Sequence, residues 1–118
     1  MRRNPFKYAS SCENWWRNML SSISGYEPKT TFFSDLSIAE CFGEKAILDT
    51  YNRVLKSYKN DIVYITEFVM CLNHKIWQLH EIDEEIALVY QTLWEKGANF
   101  VFDNFTGDDL QYYIRITD

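Results

Sequence analysis

The sequence predicts an all-α domain: a compact bundle of about four main helices and two short ones. Three observations lead there. Ile62, Ile65, Val69, Leu72, Ile76 and Leu79 step by 3, 4, 3, 4 and 3, an unbroken a/d seam over almost three heptads. No segment alternates apolar and polar residues as a half-buried strand does, and one short extended run makes no sheet. The four glycines, at 25, 43, 97 and 107, fall at expected helix ends or in one kink, not in a phosphate-cradling loop. A chain of 118 residues with 47% apolar content suits one domain, 1–118, with a real core, and excludes wholesale disorder.

Each element follows from local chemistry. Residues 1–9 read as a mobile arm. Ser10-Ser11-Cys12-Glu13 has the capping-box pattern, in which hydroxyl and carboxylate satisfy each other's backbone N–H groups. A helix from about Ser11 to Ser24 follows, closed by Gly25; Trp16, Met19, Leu20 and Ile23 share its inner face, and Trp15 lies beside it. Pro28 and the run Thr30-Thr31-Phe32-Phe33 predict an extended connector. Ser34 or Asp35 then caps a short helix, DLSIAECFG, ending at Gly43. From Glu44 to about Lys59, Ile47, Tyr51, Val54 and Tyr58 recur on one face, leaving Asp49, Arg53, Lys56 and Lys59 solvated. The seam helix runs from about Asp61 to Glu81. Val63, Met70 and Trp77 form a second stripe and Phe68 widens the other side, so neighbours on several sides are expected and the helix should be central. The next helix spans about Asp83 to Asp103, with Ile86, Val89, Tyr90, Leu93 and Phe100 inward and Gly97 admitting a close neighbour or a bend. A short terminal helix starts near Thr106, with Leu110, Tyr113 and Ile114 inward.

Charge and composition narrow the function classes. Residues 1–33 hold five basic against two acidic residues, whereas residues 34–118 hold seven against fifteen. A body so acidic repels nucleic-acid phosphate, which needs a basic footprint, so nucleic acid is not the expected partner. Three cysteines, at 12, 41 and 71, form no paired framework, and no stretch reaches the length of a membrane span. A cytoplasmic location without membrane attachment is therefore the expectation. The 4 Trp, 8 Tyr and 8 Phe exceed what a small core easily holds, so some rings should reach the surface as contact sites.

Chemistry is best sought on the seam helix. Glu67, Cys71 and His74 sit at i, i+4 and i+7 and share a face. They are the weak candidates for a metal or thiol centre. His80 lies far round the helix from His74, and neither Glu67-Phe68-Val69-Met70 nor Glu81-Ile82-Asp83-Glu84 completes the Glu-x-x-His pattern of di-iron bundles. Nothing in the sequence around Cys71 would depress its pKa. The expectation is a buried thiol at Cys71, a half-exposed His74, a solvated Lys75 that tolerates truncation, and neither cofactor nor catalytic residue. The interaction candidates are Trp15 and the acidic run Glu81, Asp83, Glu84 and Glu85, which suits a helix start and also offers a negative patch.

The strings FFSDLSIAECFG, AILDTYNRVL and FTGDDLQYYIRITD resemble small uncharacterised helical proteins carried by bacterial phages and other mobile elements. The resemblance covers about Thr31 to Asp118 and implies a cytosolic accessory protein that works by binding. The functional expectation is a non-enzymatic helical interaction or regulatory module. Its partner is a protein or a second copy, the latter through the Trp15 helix. The alternative is a small metal-dependent or thiol enzyme centred on Glu67, Cys71 and His74.

Overall fold

Residues 31–117 are described by a computed structural model. The arm 1–9, the predicted helix at 11–24 and Trp15 lie outside the described residues. Five helices follow one another: α1 (Thr31–Phe42), α2 (Glu44–Ser57), α3 (Ile62–Leu79), α4 (Glu84–Asn104) and α5 (Gly107–Thr117). No strand occurs among the described residues, and none of their helices is long and apolar enough to cross a membrane. The all-helical reading holds, with three longer helices and two of 12 and 11 residues here.

Junctions follow residue chemistry. Gly43 alone separates α1 from α2, at φ 108, a region that residues with a Cβ rarely adopt. Its N–H donates to Ala39 O at 3.1 Å and its carbonyl accepts from Ile47 N at 3.3 Å, so both helix ends are satisfied through one residue. Asp61 caps α3 by accepting from Tyr64 N at 3.4 Å. Asp83 caps α4 by accepting from Ile86 N at 3.3 Å.

The seam helix α3 touches the other four helices, so it is central, as its breadth of apolar surface requires. Ile62, Ile65, Val69 and Leu72 are buried, and Ile76 and Leu79 half-buried. Gly97 sits in unbroken α4 and faces a side chain: a Cβ there would lie 3.0 Å from Val69 Cγ2. The glycine leaves room for the Val69 side chain where α3 and α4 pack.

Three expectations are corrected. The Thr31-to-Phe33 run is helical, not extended, and begins α1 four residues early. Phe32, Leu36 and Ala39 make one buried stripe, and the Phe32 ring meets Phe68 edge-on at 5.3 Å and Tyr58 at 5.5 Å. That tertiary packing outweighs the β preference of Thr31. In α5, Ile114 is exposed and Ile116 takes the inward place beside Tyr113. His74 and Lys75, expected at or near the surface, are each only 4% exposed.

Candidate functional site

Glu67, Cys71 and His74 do share a face of α3, and all three are buried, Glu67 and Cys71 completely. Burial pushes the His74 pKa down to about 4, with the Lys75 charge adding to the effect, so the imidazole is neutral at pH 7. Its ring meets Phe33 edge-on at 5.6 Å. No three His, Cys, Asp or Glu side chains gather where they could hold a metal ion among the described residues.

One helical step away is a polar cluster that sequence reading missed. Lys75 of α3 donates to Ser37 Oγ at 2.7 Å and pairs with Glu40 Oε2 at 2.6 Å, both on α1. The Tyr90 hydroxyl of α4 donates to the same Glu40 oxygen at 2.8 Å and approaches Leu36 O at 3.3 Å. The Lys75 ammonium also lies 4.5 Å from the Phe33 ring centroid, within cation–π range. Burial, then the charge of Glu40 and its hydrogen bond, push the Tyr90 phenol far above its ordinary pKa and keep it a donor. One carboxylate oxygen thus collects an ammonium and a phenol and joins three helices. The cluster thus clasps α1 to α3 and α4.

The acidic candidates lie elsewhere. Glu81, Asp83, Glu84 and Glu85 are exposed at the corner between α3 and α4. Asp83 is engaged in capping, and Glu81 faces His80 Nε2 at 3.7 Å. Among them Ile82 is 77% exposed, and Leu88, one turn along α4 from Glu84, is 59% exposed. A second apolar surface lies on α1, where Ile38 and Phe42 are exposed. It borders a groove of about 240 Å³ between α1 and α2.

No protein family, curated protein or solved structure matches the chain.

Proposed function

We propose that this protein is a non-enzymatic binding module, an accessory protein of a phage or other mobile element, whose α3–α4 corner takes a basic protein partner. The observation that carries the reading is Ile82, an aliphatic side chain 77% exposed in the midst of four carboxylates, with exposed Leu88 nearby. Single exposed aliphatics are ordinary on protein surfaces. An exposed aliphatic side chain flanked by one sign of charge has the two ingredients of a contact: carboxylates that steer an oppositely charged segment, and apolar surface that water leaves on association. The partner that fits is a segment with Lys or Arg around an aliphatic anchor. The resemblance carried by FFSDLSIAECFG and FTGDDLQYYIRITD supports the accessory role.

The test is a titration by fluorescence anisotropy with a labelled amphipathic peptide of Lys and Leu. Binding should weaken as salt rises and fall at least about tenfold, or about 1.4 kcal/mol, in an Ile82→Ser, Glu84→Lys, Glu85→Lys variant. Asp83 is left intact so that the cap of α4 survives. Equal binding by wild type and variant, or none by wild type, overturns the reading.

A further inference from the structure

The outer face of α1 and α2 carries an inference independent of the acidic corner. The two helices turn back on each other from Gly43 and wall the same groove. On the α1 wall stand Asp35, Ile38 and Phe42; on the α2 wall stand Arg53, Thr50 and Ala46. Taken in pairs across the groove, 35 with 53, 38 with 50 and 42 with 46, each pair is centred on position 44 in the sequence. In a helical hairpin the members of each pair therefore sit at matching heights. One wall is bulky and apolar, with Phe42 at 78% and Ile38 at 59% exposure, and the opposite wall recedes at half-buried Ala46 and buried Thr50 before the exposed Arg53. An acid and a base face each other at the far end, and neither takes part in an ion pair among the described residues.

We propose that this face is the contact between two copies of the chain, related by a two-fold axis running along the groove. That operation sets each wall against the opposite wall of the other copy at the same height. Phe42 then meets the partner copy's Ala46, Ile38 enters the recess floored by its buried Thr50, and Asp35 meets its Arg53, every contact occurring twice as isologous symmetry requires. Bulk is matched to space and acid to base by one operation. A two-fold across the helices would instead bring Asp35 against the Phe42 end and satisfy neither. The net charge of −5 per chain opposes association, but that repulsion is screened at physiological salt while apolar burial is not.

Sedimentation equilibrium of the full chain at micromolar concentration tests the proposal. Wild type should be dimeric, and Phe42→Glu should be monomeric with an unchanged helical circular-dichroism spectrum. Ile38→Glu is the second apolar variant. Asp35→Arg and Arg53→Asp should each weaken the dimer about tenfold or more, and the two together should restore it. A protein that stays monomeric to about a hundred micromolar overturns the proposal. So does a dimer that Trp15→Glu dissociates and Phe42→Glu does not, which would put the contact within residues 1–30. Charge reversals that merely add would overturn the two-fold arrangement, since Asp35 and Arg53 would then not meet across it. The acidic-corner variant should dimerise normally, so failure of either reading is distinguishable from failure of the other.

Discussion

Replacing Lys75 with Met should be among the most damaging single changes in the chain, although Lys75 looks like an ordinary helix-surface lysine in the sequence. The side chain is 5% exposed and holds Glu40, itself 20% exposed, at 2.6 Å. Met keeps the packing of the stem but removes the charge. The Glu40 carboxylate is then left with the Tyr90 hydroxyl as its remaining donor in the clasp, and Ser37 loses its partner. Removing one member of a buried pair costs about 3–5 kcal/mol, because the other charge is stranded. The partial exposure of Glu40 lets water relieve some of that, which places the expected loss at about 2–4 kcal/mol. For a domain of this size that corresponds to a drop in Tm of at least about 8 °C. Urea denaturation followed by circular dichroism gives the value directly, provided the slope is unchanged. The double variant Lys75→Met, Glu40→Leu should recover much of the loss, since an apolar pair replaces an ionic one without stranding a charge. As a control, Lys45→Ala breaks an exposed pair with Asp49 at 3.7 Å and should cost less than about 0.5 kcal/mol. A Lys75→Met protein within about 0.5 kcal/mol of wild type, matching that control, would refute the clasp.

Further expectations concern packing, protonation and metal. Gly97→Ala should destabilise the wild type, because the new Cβ meets Val69 Cγ2 at 3.0 Å, yet stabilise a Val69→Ala background by up to about 1 kcal/mol, where helix propensity alone remains; additive stabilities by denaturant titration would contradict the contact. His74 has its folded pKa lowered to about 4 from an ordinary 6.5, so the unfolded chain binds the proton first and the stability held at neutral pH is lost as pH falls from about 6.5 towards 4. The His74→Gln variant should therefore show a flatter stability curve across that window, by at most ~3 kcal/mol at its acid end, and parallel curves would show that His74 is not buried neutral. Protein purified without chelator should carry less than one equivalent of zinc or iron by elemental analysis; a full equivalent lost in His74→Ala would overturn this and promote the enzyme reading centred on Glu67, Cys71 and His74.

The parts of this fold that periodicity can encode were legible. The seam from Ile62 to Leu79, the solvated face of Asp49, Arg53 and Lys56, and the helix starts near Asp61 and Asp83 depend on residues close to one another in the chain, although the capping bonds these two aspartates make come from the structure. The start of α1 was misread because Thr30-Thr31-Phe32-Phe33 has local features of extended chain. What decides its conformation is the Phe32 ring packed on Phe68, 36 positions away. The clasp was hidden for the same reason, since Lys75 reaches Ser37 across 38 positions and Tyr90 reaches Glu40 across 50. One signal was available. Lys75 falls seven residues after Phe68 and four after Cys71, on an arc of α3 that is otherwise buried, and a lysine in register with core residues calls for an acid from another helix.

That acid explains what apolar packing alone leaves open. Phe32, Leu36 and Ala39 bind α1 to the core without directional preference, and a short helix held only by such contacts could slide or rotate at small cost. A buried ion pair adds little net stability over an apolar pair, but it is satisfied in one register only. Glu40 meets Lys75 and Tyr90 together at a single position of α1 against α3 and α4. Because α1 leads into α2 through Gly43 alone, fixing α1 also fixes where the outer hairpin presents Ile38, Phe42 and the charges that flank them. An interface that depends on matching heights across a groove needs both walls held in place. The clasp lies on the inner side of α1 and the exposed apolar pair on its outer side, so one short helix is ordered by buried polar chemistry and offers its apolar surface outward.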